Sequence, residues 1–296
     1  MRGRIDRIEA AIHRDVGRGM TAAFQAAAGG LWHAAGELAA AEQPAIGLIT
    51  GFYVPGGMPP AAETDGPAGA ALLARAFTQA GVPCRLATDA DCRSACEAAL
   101  RAAGAGVVPV DAAPPHADLT HLLDTWRRAG INRVIAIERC GPSPDGVPRN
   151  MRGLDISAHA APLDGLFSAG PWRTIAIGDG GNELGMGRLP RDLLARHIPL
   201  GETVGCMVPA DSLVAAGVSH WGAYALMAAL ALLRPGWAAA MRGSLDPALD
   251  QAVVEAMVRD GPAVDGVSLE RAVTIDALPM DAHHAVLREI LAAMEK

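Results

Sequence analysis

Short apolar runs recur along the chain with helical stretches between them, and this alternation restricts the fold more than any other feature. The runs occupy residues 45–50 (AIGLIT), 85–88 (RLAT), 107–110 (VVPV), 133–138 (RVIAIE), 174–179 (TIAIGD) and 203–208 (TVGCMV). Continuous apolar runs of this length suit strands buried on both faces, as in a parallel sheet. Helical patterning fills 66–80, 91–103, 117–129, 184–197 and 220–233. The alternation predicts an α/β fold, a doubly wound and mostly parallel Rossmann-like sheet. Pro109 lacks an N–H to give to a ladder, so its strand is expected at an edge or bulged. Residues 1–40 and 236–296 read as helical extensions at either end. No repeat, charge block or Gly/Ser linker divides the chain, so 1–296 is expected to form one domain.

Charge and cysteines bound the partners. Lys and Arg number 25 against 32 Asp and Glu, a net charge of −7. Such a chain has no electrostatic footprint for nucleic acid or an anionic membrane. The longest apolar stretch, 223–233, is too short to span a bilayer. The opening residues mix acids with bases and contain no apolar core of a signal peptide. The five cysteines, Cys84, Cys92, Cys96, Cys140 and Cys206, include no CxxC pair, which fits buried thiols in a reducing compartment. The expectation is a cytoplasmic protein acting on a small molecule, with a homo-oligomer left open.

In an open parallel sheet, ligands bind beyond the carboxyl ends of the strands. After the first run come Thr50 and Gly51, then Glu63 and Asp65 ahead of a helix opened by Pro67. After the fourth come Glu138 and Arg139, then Asn150 and Arg152. After the fifth comes Asp179-Gly180-Gly181-Asn182-Glu183. Polar groups are thus expected to converge on one edge. The last loop is no dinucleotide fingerprint, because Glu183 stands where GxGxxG requires glycine. Its plain reading is a capped tight turn. Three carboxyl-bearing or amide residues within five positions of a strand end favour a functional one. The histidines form no metal motif, and His220, His283 and His284 read as structural.

Four segments carry a resemblance to a known family. They are TGFYVPGGMPPAAETDGPAGAALLARAF (50–77), IERCGPSPDGVPRNMRGLDIS (137–157), IAIGDGGNELGMG (175–187) and VSHWGAYAL (218–226). Together they resemble the bacterial D-glutamate cyclase-like proteins, over roughly residues 5 to 235. Cys140 and His220 depart from the pattern, where Pro and Asn are expected. The resemblance implies a hydro-lyase that closes D-glutamate, or a related acidic amino acid, to 5-oxo-D-proline with loss of water. Asp179 or Glu183 would then be the base, and Arg139 or Arg152 the clamp for the α-carboxylate. The amides of Gly180 and Gly181 would meet the oxyanion. Thr50, Gly51, Glu63, Asp65, Glu138, Asn150 and Asn182 complete the expected substrate-binding set.

The same acids allow another reading, in which Asp65, Asp179 and Glu183 hold Mg²⁺ or Mn²⁺. Two rival functions are also written in the residues. GDGGNE resembles the metal loop of haloacid-dehalogenase-like phosphatases, and Thr88-Asp89-Ala90-Asp91 loosely resembles their nucleophile motif, although Arg93 breaks it. A non-catalytic binding protein for acidic amino acids would use the same arginines.

Overall fold

The computed structural model describes residues 1–295. Its centre is a six-stranded sheet: β1 (Ile46–Ile49), β2 (Cys84–Asp89), β3 (Val110–Ala113), β4 (Arg133–Ile137), β5 (Arg173–Gly178) and β6 (Ser212–Ala215). The order across the sheet is β3-β2-β1-β4-β5-β6 and every pairing is parallel. The fold is therefore the expected doubly wound α/β arrangement, with strand order reversing between β1 and β4.

Eight longer helices surround the sheet: α1 (Arg2–Ile12), α2 (Gly30–Ala40), α3 (Pro67–Gln79), α4 (Arg93–Ala102), α5 (Thr120–Arg128), α6 (Ser219–Leu233), α7 (Pro247–Asp260) and α8 (Met280–Glu295). Two apolar clusters pack against opposite faces. One gathers α1, α2, α3, α4 and α6 around Leu48, Leu86, Ile135 and Ile177. The other packs Phe24, Trp126, Phe167 and Trp172 against Ile49, Val134 and Ala176. Helix α6 is apolar around its whole circumference and buried from Ser219 to Ala231, because α3, α1 and α8 cover what the sheet does not. That burial brings its first residue, Ser219, to the sheet's carboxyl edge.

Three sequence expectations are corrected. The third strand starts at Val110 rather than Val107, since Pro109 offers only its carbonyl, which accepts from Leu86 N at 3.0 Å. It is indeed an edge strand. Residues 203–208 are not the sixth strand: a helical turn, Gly201–Val204, opens that stretch, and the strand lies at Ser212–Ala215. The helix expected over 184–197 is confined to Arg191–His197, because Glu183–Leu189 is consumed by turns that fasten the preceding loop. The terminal extensions are helical as expected, with a two-stranded ribbon, Thr274–Ile275 and Leu278–Pro279, ahead of α8. All five cysteines are free and buried. Among the described residues no helix is long and apolar enough to cross a membrane.

Candidate active site

A cavity of about 200 Å³ opens at the carboxyl edge of the sheet, where β1, β4 and β5 release their loops. Glu63, Glu138, Asp179, Asn150, Arg152 and Asn182 line it, as the sequence led one to expect. Thr50, Gly51, Asp65, Arg139, Gly180, Gly181 and Glu183 do not reach its wall.

Three buried carboxylates converge here, two in the wall and Asp65 behind it. Asp65, Glu138 and Asp179 each place an oxygen within 4.8 Å of the others. Ser219 at the start of α6 meets all three. Its amide donates to Asp65 Oδ2 at 3.1 Å and Asp179 Oδ2 at 2.7 Å, and its hydroxyl donates to Glu138 Oε2 at 2.6 Å. The positive end of a fifteen-residue helix thus faces the acids. Glu138 holds φ at +42°, an unusual angle for a side-chain-bearing residue, and it directly follows β4 at the point of strand reversal. Gly66, at φ +84°, makes room: a Cβ there would lie 2.7 Å from Glu138 Cβ and from Thr50 Oγ1.

The glycine loop after β5 departs from expectation. Glu183 turns its carboxylate back on its own loop, accepting from the amides of Asp179 (3.0 Å), Gly180 (2.6 Å) and Gly181 (2.7 Å). Those amides are not free to stabilise an oxyanion, and Glu183 is neither exposed to a substrate nor free to ligate a metal with Asp65 and Asp179. Of the expected ligand set, Asp65 and Asp179 come together, and Glu138 rather than Glu183 stands beside them as the third carboxylate at a spacing that could hold a cation. The three acids that do meet already accept from Ser219, from Gly66 N and from Arg18. Asn182 donates Nδ2 to Arg149 O at 2.8 Å, leaving Oδ1 buried without a partner in the cavity wall.

Arg139 is also reassigned. It is 2% exposed, donates to Gly51 O at 2.9 Å and Ala161 O at 2.7 Å, and pairs with Asp89. It ties the loops together and does not line the cavity. The pairing withdraws Asp89, and Asp91 binds His159 at 2.8 Å, so the dehalogenase-like nucleophile motif does not meet the cavity either. Arg152 does stand at the mouth, exposed and tethered only by Gly266 O at 3.4 Å and Val267 O at 3.1 Å.

Two residues that the sequence reading passed over complete the site. Arg18, from the segment between α1 and α2, pairs with Asp179 and, at 2.6 Å, with Asp276 from the turn before α8. Asp15 fixes the approach of Arg18 by accepting from the amides of Gly17, Arg18 and Gly19. An arginine bracketed by glycines after an aspartate was the available signal, and both lay in regions assigned to peripheral helices.

Residues 8–291 match the family described as D-glutamate cyclase-like, C-terminal. The chain belongs to that family. Its similarity to the human mitochondrial D-glutamate cyclase is 43% identity over 107 residues, which is 35% of this chain. The aligned stretch spans 17% of the human protein's length.

The electrostatics of this D-glutamate cyclase-like chain are dominated by burial of acids. Burial pushes the Asp179 carboxyl up to about 6, against the opposing pull of Arg18, and Asp276 up to about 7. Glu63, Asp65 and Glu138 are raised well above the ordinary carboxylate range, by burial first and by neighbouring carboxylates second. A carboxyl that binds its proton more tightly when folded stabilises the fold while protonated. That contribution is complete below the unfolded value near 4 and disappears as pH rises through about 6 to 7. The melting temperature should therefore fall between pH 5 and pH 8, by on the order of 5 °C or more. Asp276→Asn should flatten the fall; scanning calorimetry across the pH series checks both.

Proposed function

We propose that the chain is a hydro-lyase of the D-glutamate cyclase type, closing D-glutamate to 5-oxo-D-proline and water. The observation that carries this reading is an amino-acid-sized cavity walled by buried acids whose acceptors are left over. Glu63 Oε1 and Asn182 Oδ1 are buried there without donors. A substrate ammonium supplies N–H donors and positive charge to such a wall. The family membership supports the same choice.

Cyclisation moves two protons from the ammonium to the departing γ-carboxyl oxygen. A wall of carboxyls with raised affinity for protons suits that transfer, since protonated members donate and ionised members accept near neutrality. Asp179 is the member we assign as base, being ionisable near neutrality and open to the cavity. The substrate carboxylates meet Arg152 at the mouth and protonated acids within, as a carboxyl kept neutral by burial acts as a hydrogen-bond donor. Holding both ends of a flexible chain in a small cavity supplies further acceleration.

The test is incubation with D-glutamate and detection of 5-oxoproline by NMR. Stabilisation by D-glutamate without product would favour the binding-protein reading, and turnover of phosphate esters with Mg²⁺ alone would refute the assignment. In the active protein, Arg152→Ala should raise KM for D-glutamate by about 10-fold and leave kcat nearly unchanged, because a contact at the mouth binds ground and transition states alike. Initial-rate kinetics over a range of substrate concentrations check this.

A further inference from the structure

We propose that Arg18 is a catalytic residue: it holds the carboxyl group that closes the ring and stabilises the oxyanion formed there, in place of the loop amides that Glu183 has taken. The inference rests on the lyase reading for its chemistry. The residue is read from the unpaired groups around the cavity.

The cavity wall holds unsatisfied groups of both kinds. Glu63 Oε1, Asn182 Oδ1 and Asp276 Oδ2 are buried acceptors without donors, and all three residues line the wall. Arg18 lines it too, and its buried Nη1 has no well-aligned acceptor despite its ion-pair contact with Asp179. A guanidinium carries five N–H donors. Among the described residues its ion-pair partners are Asp179 and Asp276, each meeting one nitrogen, so donors remain for a ligand. Orphaned acceptors beside an orphaned cationic donor are complementary to a molecule that carries both N–H groups and negative oxygens. The acceptors suit an ammonium, and Arg18 suits a carboxyl group.

Of the two arginines that line the cavity, Arg152 stands exposed at the mouth, whereas the Arg18 side chain is only 18% exposed. Charges interact more strongly where water is excluded, so the inner arginine has the greater effect on charge that develops during reaction. Its position is fixed from both ends. Asp15 gathers the amides of Gly17, Arg18 and Gly19 onto one carboxylate. Gly19, at φ +76°, lies so close to His197 that a Cβ there would strike His197 O. At the far end, Asp276 sits in a turn whose next amide, Ala277 N, donates to the buried Asp265 Oδ2 at 2.7 Å. The guanidinium is thus held in place before a substrate arrives, and charge so preorganised needs no rearrangement when reaction begins.

The reaction calls for such a group at one point. The amine lone pair forms the N–C bond and the γ-carbonyl π pair moves onto oxygen, which concentrates negative charge on the oxygens of the tetrahedral carbon. Arg18 donates to that charge. As the C–O bond breaks, the two protons lost by nitrogen leave on the departing oxygen as water, and the oxyanion pair re-forms the carbonyl. Arg18 itself neither gains nor loses a proton. Because the charge is most concentrated in the tetrahedral species, these donors act chiefly on the transition state. Their loss should fall on kcat, the reverse of what is expected for Arg152 at the mouth.

The test combines initial-rate kinetics of Arg18→Ala and Arg18→Lys on D-glutamate with nitrogen NMR of the Arg18 guanidinium in the unmodified protein, assigned by correlation to its own backbone. Arg18→Ala should lower kcat by about 10²–10³-fold, the loss seen when one oxyanion donor is removed, and change KM by less than about 10-fold. Arg18→Lys keeps the charge without the fork and should fall between. Guanidinium ion at a non-denaturing concentration should restore part of the Arg18→Ala rate, and ammonium ion should not. A variant that had lost only a structural ion pair would melt earlier and show no such selective rescue. Full kcat in Arg18→Ala would overturn the proposal and leave the lyase reading standing. An Arg18 signal unmoved by D-glutamate would overturn it even if neither variant folds. A shifted signal without 5-oxoproline formation would overturn the lyase reading while upholding Arg18 as the carboxylate contact.

Discussion

Asp179→Asn should lower D-glutamate turnover by about 10²–10⁴-fold, the range expected when a positioned acid–base group is removed. The asparagine Oδ1 can still accept from the Ser219 amide, so the local geometry has a substitute partner. Arg18 keeps its second partner, Asp276. The change also deletes one charge from a cluster with too many, and the melting temperature at pH 8 should hold within a few degrees. A large kinetic loss with an intact fold is thus the expected pair of results, read by initial rates and calorimetry on the same preparation. Full activity in Asp179→Asn would refute the assigned role.

Glu183 should behave in the opposite way. Glu183→Ala leaves three buried amides, those of Asp179, Gly180 and Gly181, without acceptors. Each unsatisfied group costs about 1–3 kcal/mol, so the loss should reach on the order of 3–5 kcal/mol after local relaxation. Glu183→Gln separates the structural role from a catalytic one. One oxygen, Oε1, serves Asp179 and Gly180, whereas Oε2 serves Gly181 alone. A glutamine can keep the first two bonds and sets its NH₂ against the third donor. Its cost should be about half that of alanine, with residual turnover following an unchanged pH profile. Denaturant unfolding gives the first number and kinetics the second. Were Glu183 the base, the glutamine variant would fold normally and lose its activity.

The fold was legible because buried parallel strands leave apolar runs, and five of the six runs fall on or overlap strands of the sheet. The exception, 203–208, is apolar for another reason: Val204 is buried in a helical turn, and Cys206 packs in the apolar cluster with Leu184 and donates its amide to Gly181 O in the loop after β5, without joining the ladder. Strand ends also revealed most of the cavity wall, since residues following β1, β4 and β5 must emerge at one edge. What the sequence could not reveal is which polar group is already satisfied. Glu183 and Asp179 lie four positions apart and carry the same chemistry, yet one is spent on backbone amides and the other faces the cavity. Arg139 and Arg152 divide likewise, because only packing decides that the first reaches Asp89 and the second solvent. Arg18 and Asp276 escaped notice for a topological reason. Neither follows a sheet strand, so the rule that finds strand-end residues passes over both.

The meeting of Arg18 with Asp276 and Asp179 ties segments near both ends of the chain to a site whose framework comes from its middle. During synthesis, the sheet and its strand-end acids leave the ribosome well before Asp276. A nascent chain that has folded only that far holds the carboxylate cluster without its full set of charge partners. Completion of the charge set is therefore a late event, coupled to docking of the turn that carries Asp276 and of α8 behind it.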